Sequence, residues 1–470
     1  MLLQLINHAQ TALNMLLVTL TAVSLCSVII PKRISRIEKS LIGLIILMAF
    51  TQLLVEGYYW HYIPSYLLLI LLMIRTLFAH KLSNNLQKRL FQFILVLLIL
   101  LSIIPWAIFL PTPKLLEPQG DYQVGTRIFR WVDINRDEEI TSNPLDKRNV
   151  VIQAWYPTEE NAKGAHSYYL DGIGNLPEKI GGLPKWIFDY YDQVNTHGIL
   201  NAPTSKTQKQ WPVIIFLTGN GASRAFYTSL VSGLASRGYV VLAIDHPYES
   251  MITQLADGTI ATTIEKHSKG APNLLGFMEA RLNLRIADVK FVINQLDSLV
   301  DSADSFFSSL DKNRIVITGH SLGGATAGAA MAIDPRIKAA ANIDGTLYGE
   351  LPKINDTRPF LLIESKKDTS SRFQRYENGN QRLFKHFGGG YRYQITEADH
   401  YSFTDAPFLL SFPTRFIAGR FLEFGNIPIK TNRATVEILN DFFSNTLNHK
   451  LIQLDSVVSR YEGIIKKPMD

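Results

Sequence analysis

The sequence predicts a mostly parallel, doubly wound α/β sheet preceded by a membrane domain of about four transmembrane helices. From residue 211 onward, short apolar runs without strict polar alternation recur between helical patterns, as expected for strands that are covered on both faces. Long apolar stretches almost without charge follow one another in the first quarter of the chain. We therefore predict a membrane domain at 1–111, an α/β domain at 112–450 and a C-terminal tail at 451–470.

The predicted membrane domain contains four apolar stretches, each long enough, or nearly so, to cross a hydrocarbon layer of ~30 Å as a helix. They are Ala12–Ile30, Leu41–Tyr58, Tyr62–Phe78 and Leu90–Leu110. Basic residues are concentrated in the loops after the first and third stretches, at 31–39 and 75–89. By the positive-inside rule these loops face the cytoplasm, so we expect a multi-pass membrane protein with an extracytoplasmic α/β domain.

The charge of the chain gives no support to nucleic-acid binding. The net charge of +6 lies entirely in the first 110 residues, and the remaining 360 residues carry 39 basic and 39 acidic side chains. The single cysteine, Cys26, permits no intrachain disulfide and no cysteine-based metal site. Residues 133–137 resemble the start of a calcium loop, but Glu138 and Pro144 stand where that loop needs glycine and glutamate. We expect a solvated turn there.

The elements of the α/β domain are predicted from hydrophobic periodicity and turn residues. In chain order they are strands at 122–132 and 149–157, a loop-rich segment at 158–210, a strand at 212–219, a helix at 223–237, a strand at 239–246, a helix at 277–300, strands at 314–319, 339–344, 359–365 and 391–396, and a helix at 433–447. The aromatic residues of 158–210 suit either a lid that contacts an acyl chain or the packing of a small core. The sequence leaves both open.

One predicted strand, at 314–319, leads through Gly319-His320-Ser321-Leu322-Gly323 into a helix of small residues. This is the pattern of a nucleophile elbow, a strained turn that exposes a serine hydroxyl at the edge of the sheet. The five-residue pattern alone is a weak signal, but the buried strand before it and the helix after it make it strong. The sequence therefore predicts the α/β-hydrolase fold with Ser321 as the nucleophile.

A serine nucleophile needs a histidine base, and that base needs an acid to fix its tautomer. In this fold the order along the chain is serine, acid, histidine. His400 follows a predicted strand and is the expected base, whereas His386 precedes that strand and His449 lies near the C-terminus. The acid is Asp344, after the strand that follows the elbow, or Asp368, after the next strand. Topology slightly favours Asp368.

Acyl transfer also requires two backbone N–H donors for the oxyanion of the tetrahedral intermediate. One is expected from Leu322, the residue after the nucleophile. The other is expected from Asn220, which lies between two glycines in the loop after the first parallel strand.

From about residue 122 to the helix near residue 443, the chain resembles the plasma-type (isoform II) platelet-activating-factor acetylhydrolase family and its bacterial relatives. The residues that carry the resemblance are Gly125, Trp155-Tyr156-Pro157, the glycine loop at 219–221 with Arg224, the segment Leu234–Tyr239, the elbow Gly319–Gly324, and His400 with Phe403 and Asp405. In that family the acid lies on the strand directly after the elbow, so the resemblance implies Asp344 rather than Asp368. Thr218 and Asn220 depart from the family, which usually has histidine and often leucine there.

The resemblance implies a serine carboxylic-ester hydrolase that acts through an acyl-serine intermediate, with no metal or organic cofactor. Its implied substrates are short-acyl phospholipids such as 1-alkyl-2-acetylglycerophosphocholine, or related lipid esters, beside a bacterial inner or cell membrane. Two alternatives stay open, a non-catalytic membrane receptor or scaffold with a hydrolase fold and an acyltransferase with the same triad. The complete set of triad residue types argues against the scaffold, whereas an acyltransferase shares the acyl-enzyme.

Overall fold

A computed structural model of the 470-residue chain describes residues 36–55, 60–78, 85–108, 113–180, 183–188, 191–264, 273–299, 302–353, 356–366, 371–410, 415–417, 419 and 421–469. The chain divides into two compact units. The first comprises residues 1–111 with 410–414, and the second comprises residues 112–409 with 415–470.

The described part of the first unit consists of three apolar helices, α1 (Arg36–Val55), α2 (Ile63–Phe78) and α3 (Asn85–Ile108). One side of each helix contributes to a shared apolar core that includes Ile45, Leu72 and Leu95. Large apolar side chains also face outward, among them Leu54, which is 71% exposed, and Phe93, which is 65% exposed. These helices therefore bury one apolar face and leave another uncovered.

Among the described residues, one helical stretch is long and apolar enough to cross a membrane, Asn85–Ser102 in α3. Ile42–Leu54 in α1 and Ile63–Ile74 in α2 are shorter apolar helices. The predicted span at Ala12–Ile30 lies outside the described residues. A bundle of four transmembrane helices thus remains a prediction.

The second unit contains the strands of the α/β domain. They are β1 (Gln123–Asp137), β2 (Lys147–Thr158), β3 (Lys179–Ile180), β4 (Leu183–Pro184), β5 (Gly198–Leu200), β6 (Trp211–Leu217), β7 (Val240–Asp245), β8 (Ile252–Gln254), β9 (Ile260–Thr262), β10 (Leu310–His320), β11 (Ile337–Ile343), β12 (Phe360–Glu364), β13 (Tyr391–Ile395) and β14 (Ile464–Lys466). Its helices are α4 (Thr228–Ala235), α5 (Leu274–Leu299), α6 (Ser305–Ser308), α7 (Leu322–Ile333), α8 (Ser371–His386), α9 (Ala406–Leu409), α10 (Pro428–Leu447) and α11 (Asp455–Val458).

Within the described ranges, ten of these strands form one sheet in the order β14-β13-β12-β11-β10-β6-β7-β2-β1-β5. The six strands from β13 to β7 run parallel to one another. Antiparallel pairs join β14 to β13, β2 to β7 and β1 to β2. The centre of the sheet is therefore parallel, as predicted, and the carboxyl ends of its strands share one edge.

Apolar side chains cover both faces of the sheet. One core cluster joins the sheet to α5, α7 and α8, and a second joins it to α4, α10 and α11. The central strand β6 is buried along its whole length. This explains why its sequence is a continuous apolar run rather than an alternating one.

The prediction of a solvated turn at 133–137 is wrong, because β1 continues to Asp137. Asp133 pairs with Arg148 on β2, and a register shift separates that pair from the pair of Asp137 with Lys147. The charged side chains contact each other along the strand, with Arg136 Nε 2.6 Å from Asp133 Oδ2. Strand pairing thus overrides the turn-like composition of this segment.

The predicted tail at 451–470 packs on the α/β domain, and its strand β14 joins the sheet. Helix α11 buries Val457 and Val458 on the core cluster of α10, and β14 then pairs with β13. Tyr393 Oη donates a hydrogen bond of 2.6 Å to Asp455. Leu454, Val457, Val458 and Ile464 are thus core residues, spaced too widely to show a periodic pattern.

The described aromatic residues of 158–210 fall into two groups, and Tyr190 lies outside the described residues. Tyr169, Phe188 and Tyr191 are buried in a small apolar cluster, whereas Tyr168 and Trp186 are exposed. In the part of this segment that the structure describes, no residue lines the cavity beside Ser321. Its buried aromatic residues therefore form a small core.

Candidate active site

Ser321 occupies the turn between β10 and α7. Its backbone has φ 57° and ψ −123°, a conformation that is costly for a residue with a side chain. Its N–H donates to the carbonyl of Ile343 on β11 at 2.8 Å, which fixes the turn against the sheet. A Cβ atom at Gly319 would lie 2.6 Å from the Leu217 carbonyl oxygen, and one at Gly323 would lie 2.2 Å from it. Both glycines are therefore required by the close packing of the turn on β6.

Three side chains form a hydrogen-bonded row that begins at this turn. His400 Nε2 lies 3.0 Å from Ser321 Oγ, and His400 Nδ1 lies 2.6 Å from Asp344 Oδ2. The imidazole is 13% exposed and the carboxylate 1% exposed. The structure thus brings together the three residues that the sequence and the family resemblance select.

Asp344 lies directly after β11, in a left-handed conformation with φ 54°. Ser365, after β12, donates to its carboxylate twice, from its N–H at 2.8 Å and from its hydroxyl at 2.8 Å. The Asn342 side chain accepts from Gly345 N at 2.8 Å and holds the following turn. The alternative acid, Asp368, lies outside the described residues.

The predicted oxyanion donors border the same site. Asn220 and Leu322 both line the cavity beside Ser321. Gly221 has φ 75°, a left-handed conformation that suits glycine and turns the loop after β6. The neighbouring N–H of Gly219 is already bonded to Tyr227 Oη at 3.0 Å. The N–H of Asn220 therefore remains the expected oxyanion donor of this loop.

A side chain of helix α5 bonds to the start of this loop. Buried Arg285 donates to the Thr218 carbonyl at 2.6 Å and to Glu249 at 2.9 Å. Burial by itself would raise the pKa of Glu249, but Arg285, Arg281 and other nearby basic groups together outweigh burial and lower this pKa. Thr218 Oγ1, where the family usually has histidine, is buried without a partner within the described ranges.

A cavity of about 400 Å³ opens in front of Ser321. Its wall combines the polar atoms of the site with apolar and aromatic side chains, Phe226, Met278, Tyr348, Tyr376 and Tyr401. A concave, mostly apolar wall around a few convergent polar groups is typical of a small-molecule site. Across the part of the chain that the structure describes, no group of three or more His, Cys, Asp or Glu residues is placed to hold a metal.

His246 and Asp245, which end β7, do not line this cavity. His246 Nδ1 lies 2.8 Å from Asp288 Oδ2, and both side chains are 0% exposed. Asp288 also accepts from Arg148 at 2.7 Å and from Arg136 at 2.8 Å. Asp245 forms an ion pair with buried Arg224. These side chains belong to buried ionic networks.

Ser365 and Arg285 were not singled out by the sequence. Ser365 stands at the end of a predicted strand, where polar residues often reach the edge of a parallel sheet. Arg285 is a charged residue on the buried side of an amphipathic helix, a position that charged residues rarely occupy unless they are paired. Both signals are visible in the sequence, but neither identifies the bonding partner.

Comparison with known proteins gives the family of the chain. The family model described as "Platelet-activating factor acetylhydrolase, isoform II" matches residues 109–270 and 278–459. The chain belongs to this family. The match confirms the resemblance and includes Ser321, Asp344 and His400.

Two individual proteins that match the chain have low identity to it. A protein of Arthroderma benhamiae named "Probable 1-alkyl-2-acetylglycerophosphocholine esterase" is 27% identical over 273 residues, which cover 53% of this chain and 62% of the relative. The platelet-activating factor acetylhydrolase of Cavia porcellus is 26% identical over 241 residues, which cover 45% of this chain and 51% of the relative. The chain thus spans between half and two thirds of the length of these relatives.

A solved ferulic acid esterase from Streptomyces cinnamoneus has a similar fold. It aligns with a TM-score of 0.62 and 24% identity, over 76% of this chain and 99% of the esterase. The mixed sheet and this likeness agree with an α/β-hydrolase fold.

Proposed function

We propose that the chain is a membrane-anchored carboxylic ester hydrolase that forms an acyl-serine intermediate at Ser321. The observation that supports this most directly is the row from Ser321 Oγ through His400 to Asp344, with distances of 3.0 Å and 2.6 Å. A hydroxyl, an imidazole and a carboxylate in this order form the machinery of nucleophilic acyl transfer. Membership of the acetylhydrolase family supports the same chemistry.

In the proposed reaction, His400 Nε2 takes the proton of Ser321 as Oγ bonds to the acyl carbon. The carbonyl oxygen becomes an oxyanion, which the N–H groups of Leu322 and Asn220 stabilise. His400 then gives the proton to the departing alcohol as its C–O bond breaks. A water molecule attacks the acyl-serine by the same route, releasing the acid and restoring Ser321. Asp344 stabilises the imidazolium in both halves.

We propose short-acyl phospholipids such as 1-alkyl-2-acetylglycerophosphocholine, or related lipid esters, as substrates. The cavity of about 400 Å³ is small for a long acyl chain together with an alcohol group. Aromatic side chains at its wall suit an apolar glycerolipid backbone. The names of the two relatives point to the same ester class.

We propose further that α1, α2, α3 and the predicted span at 12–30 lie in a bilayer, with the α/β domain extracytoplasmic. Outward apolar side chains such as Leu47, Leu54 and Phe93 support this, because water-facing helices rarely expose so many. A C-terminal reporter that functions only outside the cytoplasm should be active. A silent fusion that is well expressed would mean the opposite orientation.

The decisive experiment labels the purified full-length protein with a fluorophosphonate and compares it with Ser321→Ala. We expect the label on Ser321 and turnover of acetyl esters, both lost in Ser321→Ala at an unchanged melting temperature. The exposed Ser456 provides the matched control, because Ser456→Ala should keep label and turnover. Retained turnover in Ser321→Ala would end the proposal.

Two further measurements separate the alternatives. A wild-type protein that neither takes the label nor turns over esters would favour the receptor or scaffold. Adding an acceptor alcohol distinguishes the acyltransferase, because a transferase yields mainly the new ester whereas a hydrolase yields mainly free acid. A series of esters of increasing acyl length should show falling turnover beyond the shortest chains.

A further inference from the structure

Two buried side chains that the proposed reaction does not use lie between the loops on either side of Ser321. The Gly219 N–H lies 3.0 Å from Tyr227 Oη, which lies 2.9 Å from His320 Nδ1. His320 Nε2 in turn lies 2.9 Å from the carbonyl oxygen of His400. An unbroken row of hydrogen bonds thus runs from the oxyanion loop to the backbone of the proposed base.

The direction of each hydrogen bond in this row follows from chemistry. A backbone N–H can only donate, so Tyr227 Oη accepts from Gly219. A carbonyl oxygen can only accept, so His320 carries a proton on Nε2 and donates it to His400 O. In a neutral imidazole with that tautomer, Nδ1 is an acceptor, and the Tyr227 hydroxyl donates a hydrogen bond to it. Every donor and acceptor in the row is then satisfied.

Both side chains are held rigidly. Tyr227 and His320 are each 1% exposed. Burial raises the pKa of Tyr227, so its hydroxyl keeps the proton that it donates. The His320 ring lies 4.6 Å from the His400 ring, centroid to centroid, and the Tyr227 ring lies 4.9 Å from that of Phe216. A displacement of either loop would therefore leave buried polar atoms without partners.

The two ends of the row matter for catalysis. Gly219 adjoins Asn220, so the bond to Tyr227 fixes the peptide next to the proposed oxyanion donor. At the other end, His400 supplies both the carbonyl that His320 holds and the imidazole that faces Ser321. His320 itself directly precedes Ser321 in the chain. The row therefore connects donor, nucleophile and base.

We propose that Tyr227 and His320 are positioning residues that hold the oxyanion loop and the base at a fixed spacing across Ser321. Both residues border the cavity, but their hydrogen bonds go to the Gly219 N–H and the His400 carbonyl, and through these they act. This inference rests on the proposed function.

The test uses the full-length protein with Tyr227→Phe, His320→Leu and the double variant, and normalises kcat to fluorophosphonate-titrated sites. Each single variant should lower kcat by roughly 10- to 100-fold, the range for losing one hydrogen bond in a buried catalytic network, with KM changed less than about threefold. The double variant should be about as slow as the slower single variant, because both break one row. Independent structural damage would multiply the two losses.

Conservative variants and a matched control exclude a purely structural effect. In His320→Gln the amide nitrogen can again donate to His400 O, so at least a tenfold recovery of kcat over His320→Leu is expected. Tyr156 is the control, since it is equally buried and its hydroxyl donates to Ala202 O at 2.7 Å away from the cavity. Tyr156→Phe should keep the wild-type kcat. If Tyr227→Phe does not fold, the comparison of His320→Leu with His320→Gln decides alone.

The outcomes separate this inference from the function on which it rests. A wild-type protein without ester turnover that depends on Ser321 would refute the function. If Ser321→Ala is inactive but Tyr227→Phe and His320→Leu keep wild-type kcat per titrated site, the positioning role alone is wrong. It is also wrong if the two losses multiply in the double variant, or if His320→Gln is as slow as His320→Leu.

Discussion

Two histidine–aspartate hydrogen bonds of similar length lie in very different surroundings in this protein. His400 and Asp344 are 2.6 Å apart beside a serine and a cavity. His246 and Asp288 are 2.8 Å apart in a fully buried position, away from that cavity. The distance between the two groups therefore does not distinguish a catalytic pair from a structural one. What distinguishes them is position, because His400 also bonds to Ser321 Oγ at the cavity, whereas the carboxylate beside His246 lies among buried cations.

The carboxylate of Asp288 is already neutralised by cations. Burial by itself would raise the pKa of Asp288, but Arg148 and His246 lower it well below its ordinary value. Burial and nearby Arg285 lower the pKa of His246, which favours its neutral form. Asp344 instead accepts from the N–H and hydroxyl of Ser365, which are neutral. These two donors orient the carboxylate that faces His400 Nδ1.

The largest effect is expected from a substitution that breaks the catalytic pair of Asp344 and His400. Asp344→Asn should lower kcat by about 10⁴-fold, because the amide favours the wrong imidazole tautomer and cannot stabilise the imidazolium. Steady-state kinetics on esters, with sites titrated by a fluorophosphonate, measures this loss. The matched control is Asp368→Asn, which should stay within about threefold of wild type. The reverse pattern would make Asp368 the acid.

Removing a cation from the network around the buried pair should affect stability instead. Arg148→Met leaves Asp288 and Glu138 short of a buried cation that bonds to both, at 2.7 Å and 2.9 Å. Removing one partner of such a network costs about 3–5 kcal/mol of unfolding free energy. Thermal unfolding should show the loss, while kcat per titrated site changes less than about threefold. Unchanged stability with a large fall in kcat would mean that the network of Asp288 serves catalysis, as the pair of Asp344 and His400 does.

A third buried carboxylate, that of Asp405, differs from both Asp344 and Asp288 in its partners. It is fully buried, the Ser229 N–H lies 3.3 Å from each of its two carboxylate oxygens, and within the described ranges it has no salt bridge. Burial raises the pKa of Asp405 to about 7, since these hydrogen bonds offset only part of the effect.

This raised pKa makes stability depend on pH. Between about pH 4 and pH 7 folded Asp405 keeps a proton that the unfolded chain has lost, so rising pH lowers the unfolding free energy, by up to about 4 kcal/mol. Asp405→Asn should remove this contribution. As the pH rises across that interval, we expect the melting temperature of the wild type to fall relative to that of Asp405→Asn. Parallel melting curves at every pH would contradict this.

The smallest expected effect concerns the neutral donors of Asp344. Ser365→Ala removes the hydroxyl bond of 2.8 Å but keeps the N–H donor, so the carboxylate stays oriented with one bond less. We expect kcat to fall roughly tenfold, as for one hydrogen bond to a charged group. Exposed Ser298→Ala serves as the control. A loss as large as that of Asp344→Asn would mean that Ser365 does more than orient the acid.

The elbow and the succession of strands along the chain could be predicted from the sequence, because both depend on local or sequential signals. Gly319 and Gly323 mark the turn at Ser321, and the position of His400 after a strand follows from the chain order. Periodicity missed α8, whose composition is largely polar. It also missed the pairing of β14 with β13, which joins segments about 70 residues apart.

The hydrogen-bond partners within the site depend on spatial neighbours that the sequence does not indicate. The pairing of Tyr227 with His320 requires β6 and β10 to lie side by side. The role of Ser365 likewise requires β12 to lie beside β11. The choice between Asp344 and Asp368 rested on family resemblance, because strand order alone allows either.

The last strand of the chain, β14, covers the outer side of β13, and Thr396 N also bonds to Gly463 O at 2.9 Å. Proteolysis or truncation before Ile464 would expose the unpaired backbone of β13, a strand that only four residues separate from His400. Such an exposed edge recruits other chains and favours aggregation. Affinity tags and reporters should therefore be appended after the final residue rather than replace any of the last ten.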